Sequence, residues 1–86
     1  MPTLSVFYGI VIQMYWEDHP PPHFHALYGE YEALVAIDEL SVIRGGLRRR
    51  ALERVREWAG RHQAALMEDW QLCAKRQQPS KLPPLR

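Results

Sequence analysis

Residues 23–37 read HFHALYGEYEALVAI, and the period of this stretch decides the fold. Its apolar residues alternate instead of recurring every third or fourth place, which is the pattern of half-buried strands. Gly29-Glu30 supplies a two-residue loop of the kind that joins antiparallel strands, although Asn-Gly is the stronger signal. On that register Tyr28 pairs with Tyr31, Phe24 with Val35 and His25 with Leu34. Phe24, Ala26, Tyr28, Tyr31, Ala33, Val35 and Ile37 then share one apolar face, the natural core side. His23, His25, Glu32, Leu34 and Asp38 fall on the opposite, less apolar face, where a site can be exposed.

Upstream, GIVIQMYW (residues 9–16) sets Ile10, Ile12, Met14 and Trp16 against Val11, Gln13 and Tyr15. Pro20, Pro21 and Pro22 end that strand, because proline donates no ladder hydrogen bond. Downstream, LSVI (residues 40–43) reads as a short further strand closing before Arg44-Gly45-Gly46. Beyond it the period lengthens. Leu52, Val55, Ala59, His62, Leu66, Trp70 and Cys73 make a helical stripe. An unbroken helix over 47–77 would be about 46 Å long at about 1.5 Å per residue. A compact domain of this size has a radius of gyration near about 12 Å and spans roughly 31 Å. The helix therefore kinks or breaks near Gly60, or it overhangs and packs on a second copy as a homodimer. The expected fold is α+β: a small antiparallel meander of three or four strands packed by one long, kinked C-terminal helix. Phe24, Tyr31, Val35, Ile37, Leu52, Val55 and Leu66 are the expected shared core. Residues 1–78 form one domain and 79–86, PSKLPPLR, a flexible proline-containing tail.

The 86 residues are 47% hydrophobic and 24% charged, an ordinary globular composition that excludes disorder throughout. The lone Cys73 can staple nothing internally, which fits a reducing cytoplasm. The first basic residue is Arg44, so no charged leader region is visible, and the apolar run near the start is too short to span a bilayer. A cytoplasmic location without a membrane segment is expected. The net charge of +1 hides a division. Residues 1–43 carry six acidic and no basic side chains; residues 44–86 carry eleven basic and four acidic ones. Either the halves attract each other, or the basic half meets an acidic partner.

Two groups of residues are candidate sites. His23 and His25, at i and i+2 on a strand, project side by side and can share an ion. His19 can return across the prolines as a third ligand, with Asp18 or Glu32 orienting the rings. The imidazoles can also serve as catalytic acid–base groups. The spacing nonetheless matches none of the strong zinc signatures, and histidines often simply cap a sheet face. Arg48, Arg49, Arg50 and Arg54 crowd the helix start, where the dipole disfavours each exposed cation by about 0.3–1 kcal/mol. An anion or an acidic protein surface would relieve that repulsion. The plainer reading is a solvated helix face neutralised by Glu53, Glu57 and the acidic half. No recognised nucleic-acid motif accompanies the arginines, which argues against nucleic acid.

The segments FYGIVIQMYWEDHPPPHFHALYGEYEA, AIDEL and RRRALERVREWAGRHQAALMEDW resemble the small bacterial family known as Domain of Unknown Function 4160. The resemblance runs from Pro2 to about Ala74, and is most specific over Asp18-His19, Pro21-Pro22-His23-Phe24-His25 and Tyr28-Gly29. Members usually carry a proline near the helix start, where this chain has Arg48. The family has no established activity. Its genes often adjoin those of another small family, Domain of Unknown Function 2442, which implies a toxin–antitoxin-like pair. The leading expectation is a bacterial cytoplasmic protein-interaction module, one component of such a pair, that needs no cofactor. The alternative is a histidine-centred, metal-dependent hydrolase or nuclease in which His19, His23 and His25 hold zinc.

Overall fold

The computed structural model describes residues 2–86. Five strands run in chain order through one antiparallel sheet: β1 Thr3–Phe7, β2 Ile10–Gln13, β3 His23–Tyr28, β4 Tyr31–Ala36 and β5 Val42–Gly45. Two helices follow, α1 Arg49–Gly60 and α2 Gln63–Ala74. The central hairpin has the expected register, with Tyr28 opposite Tyr31, Phe24 opposite Val35 and His25 opposite Leu34. Gly29 takes φ of 60° at the first turn position, a conformation that glycine enters without a Cβ clash.

The sheet exceeds the expected three or four strands because TLSVF forms a strand of its own. Tyr8 and Gly9 both take positive φ, 51° and 78°, as a tight turn between right-twisted strands requires. A bulge between Thr3 and Ser5 breaks the alternation, so that Leu4 and Ser5 are both buried. That bulge hides the strand from a search for strict alternation.

The single long helix is also corrected. The chain leaves helical geometry at His62 (φ −131°, ψ 22°), and Arg61 and His62 donate to the carbonyls of Trp58 and Ala59 in a tightened last turn. Gln63 then donates its amide to the carbonyls of Ile37 and Asp38, fixing the start of α2 against the end of β4. The break satisfies the length argument. The longest dimension is 33 Å and the radius of gyration 11.5 Å. The geometric need for a second copy falls away with it.

The core lies between the Phe24 face of the sheet and the helices. Trp58 is fully buried, with Phe7 at 5.3 Å and Phe24 edge-on at 5.9 Å between ring centroids. Val35, Ile37, Val55 and Leu66 join it, whereas Tyr31 is exposed and Leu52 only half-buried. Tyr31 stands at the turn end of the hairpin, under the Arg48 guanidinium and away from the core. The tail expected to be flexible is packed. The Trp58 indole donates to the Pro83 carbonyl at 2.8 Å, the Leu82 amide donates to the Leu4 carbonyl, and Leu85 is buried.

Candidate functional site

After β2 the chain reverses at Glu17, whose φ of 53° is rarely adopted by a residue with a Cβ. Two contacts, one with the end of α2 and one with the residues just after it, hold it there. Its amide donates to the Cys73 carbonyl at 3.2 Å, and its carboxylate accepts from Arg76 Nε at 2.6 Å. This reversal returns Asp18 over the start of β3. There Asp18 Oδ1 accepts the His19 amide at 2.8 Å. Its Oδ2 lies 3.0 Å from His23 Nε2 and 3.1 Å from His25 Nε2.

The far nitrogen of each ring is also engaged. His23 Nδ1 donates to the Pro21 carbonyl at 2.8 Å, and His25 Nδ1 is 2.9 Å from Glu32 Oε2. Tyr15 stacks on the His25 ring at 4.1 Å, and Trp70 of α2 packs against His23 at 5.2 Å. Burial alone would raise the Asp18 carboxyl. The hydrogen bond from His25, the His19 amide and the two neighbouring imidazoles outweigh burial and hold it below the usual range. Burial, then Glu32 and Asp18, push the Tyr15 phenol up.

The histidine face is therefore not the exposed surface that the hairpin pattern implies. His23 and His25 do lie on the sheet face opposite Phe24, yet only 4% and 6% of their surface remains accessible. The Asp18 loop, Tyr15 and Trp70 close over them. His19 is exposed, and its ring is not among the ligand atoms that converge; Asp18 takes the place the sequence assigns to it. The alternation rule fixes side chains along strands only, so it cannot choose between neighbours in a reversing loop. Asp18, His23 and His25 offer three ligand atoms within 4.8 Å of one another.

The arginines gather at another end of the molecule. A cleft of about 360 Å³ is lined by Tyr8, Ile10, Tyr28, Arg48, Arg49, Arg50, Ala51 and Arg54. It adjoins a second cleft through Tyr28 and Arg48, where Tyr31 and Glu30 continue the wall. The Arg54 guanidinium lies 4.0 Å from the centre of the Tyr8 ring, and that of Arg48 lies 6.0 Å from Tyr31. Among the described residues, only Arg49 of these four has a carboxylate within reach, an exposed contact with Glu53 at 3.6 Å. Helix α1 starts without a side-chain cap or an acidic residue in its first turn. The tyrosines of this end were not legible as a group, because they come from two different turns that only the folded sheet brings together.

The family model described as Domain of unknown function (DUF4160) matches residues 9–71. The chain belongs to this family. The match contains Asp18, His23 and His25 and the four arginines, but Tyr8 of the arginine end lies one residue ahead of it. It leaves out β1 and the packed tail. No curated protein and no solved structure matches the chain. No helix among the described residues is long and apolar enough to cross a membrane.

Proposed function

We propose that this DUF4160 chain is a protein-interaction module whose arginine end captures an acidic partner. The observation that carries the reading is the convergence of Tyr8, Tyr28 and Tyr31 with Arg48, Arg49, Arg50 and Arg54 around adjoining clefts. Tyrosine and arginine are the residue types that supply most binding energy at protein interfaces. The guanidinium groups of Arg48 and Arg54 rest on rings and leave their hydrogen-bond donors free for carboxylates. The first residues of α1, Arg49, Arg50 and Ala51, line the same cleft, and the helix start there has no side-chain cap on its backbone N–H groups.

The family resemblance adds the proposal that the chain is one component of a bacterial, cytoplasmic, toxin–antitoxin-like pair, with a Domain of Unknown Function 2442 protein as the first partner to try. Co-purification from the native host tests it. Partner capture should weaken in Arg48→Glu and Arg54→Glu. It should also fall with salt, since exposed charges are screened within about 8 Å at physiological ionic strength. Capture that survives both charge reversal and high salt would refute an electrostatic interface.

A further inference from the structure

Four imidazole nitrogens in this fold face only acceptors. His23 Nδ1 meets the Pro21 carbonyl, which can only accept, so this nitrogen carries hydrogen. His23 Nε2 meets a carboxylate oxygen of Asp18. His25 meets Glu32 on one side and the same Asp18 oxygen on the other. A neutral imidazole has one N–H, so two neutral rings supply two hydrogens for four contacts. With the hydrogens of both neutral rings on Nδ1, both Nε2 lone pairs point at Asp18 Oδ2. With neutral rings three electron-rich atoms then meet in a nearly closed space, an arrangement that added positive charge, from protons or from a bound cation, relieves.

We infer that Asp18, His23 and His25 bind one divalent first-row transition ion, with zinc the best fit. The ion supplies the missing positive charge at the point where the three atoms converge. The donor set selects its class. Two imidazoles and one carboxylate suit borderline ions such as zinc, whereas magnesium and calcium prefer oxygen alone. The two carboxylate-to-imidazole spacings suit it too. Bonds of about 2.0–2.1 Å set neighbouring ligand atoms about 2.9 Å apart in octahedral and about 3.3 Å apart in tetrahedral geometry. The Asp18 oxygen is 3.0 and 3.1 Å from the two nitrogens.

Each ligand is also oriented from behind, as ligands of bound metals usually are. The His19 amide holds Asp18, the Pro21 carbonyl holds His23 and Glu32 holds His25. Trp70 and Tyr15 fix the ring planes. Three protein ligands leave room for water or a further group in the coordination shell.

The test is titration of zinc into the full chain after chelator treatment, followed by calorimetry and by NMR of the histidine ring nitrogens. One equivalent should bind, shifting Nε2 of His23 and His25 while their Nδ1–H signals persist. His19→Ala should bind as wild type does, separating the assigned ligands from the exposed imidazole. Glu32→Ala should weaken zinc about 10–100-fold, the usual effect of removing an orienting partner. Asp18→Asn should weaken it at least as much, and magnesium should not compete. Should Asp18→Asn fail to fold, the wild-type ring signals decide alone. Three results would overturn the inference: no uptake by the folded chain at one equivalent, Nε2–H signals on both rings in excess zinc, or uptake that depends on His19 and not on His25. Each is independent of the arginine end, so failure here leaves the interaction reading standing.

Discussion

Asp69 is 1% exposed, and only one of its carboxylate oxygens is partnered, by the Ser80 amide at 2.8 Å. Oδ2 has no hydrogen-bond partner. Burial, with a smaller push from Glu68, raises this carboxyl above its ordinary value despite the Ser80 bond. A carboxyl whose folded pKa is raised stabilises the fold when protonated, and that contribution disappears as pH rises through the folded value. Wild type should therefore gain stability relative to Asp69→Asn as pH falls from neutral toward 4, measured by urea unfolding at each pH. A flat difference would mean that the carboxylate is solvated. Asp18 acts in the opposite sense, since its lowered pKa contributes stability that is lost only as pH falls below the ordinary carboxylate range. Asp69 sits on the apolar stripe of α2, one residue from Trp70, where the pattern gives no cue that a charge is turned inward. His23 and His25, by contrast, were legible as neighbours because strand alternation alone puts them on one face.

At the scale of elements, Gly60 closes α1 and nothing in its surroundings requires glycine. It does not take positive φ, and a Cβ there would make only ordinary contact with Leu40, at 3.8 Å. Gly60→Ala should stabilise the protein by about 0.4–1 kcal/mol, by narrowing the unfolded ensemble and favouring the helix. For a domain of this size that is a melting temperature higher by about 2–8 °C in calorimetry. A decrease would show that the chain needs glycine to pass from α1 to α2. The need for a break was legible from length alone, because a straight helix outruns the domain. Its position was approximate, because the decisive contacts, Gln63 with the carbonyls at the end of β4, join residues 25 and 26 apart in sequence. The hairpin β3–β4 was legible down to its register, since its turn and its alternation agree. Strand β1 was not, since its bulge removes the alternation on which such a reading depends.

Across the whole molecule, the tail closes the fold. Its last segment places Leu85 in the core and the Pro83 carbonyl on the Trp58 indole, while Leu82 hydrogen-bonds to β1. Leu85→Ala should cost about 2 kcal/mol, near the lower bound for a buried leucine because Leu85 keeps 8% of its surface exposed. Urea unfolding would measure it, and an unchanged midpoint would mean that the tail is loose in solution. Proline content alone suggested fraying, yet prolines also pre-set an extended chain that can lie on an apolar surface at low entropic cost. What the composition could not reveal was a waiting indole N–H.

Tyr31, beneath Arg48, and Glu32, behind His25, are adjacent residues on opposite faces of one strand. The Glu32 carbonyl also accepts the Gly46 amide just ahead of α1. The arginine end and the histidine cluster thus share a peptide unit, with no flexible segment between them. Occupancy of the two is then subject to linkage: whatever factor an ion contributes to the affinity for a partner, the partner must return to the ion. A factor above one would make the complex a metal-dependent assembly; a factor below one would make partner release the signal of metal loading.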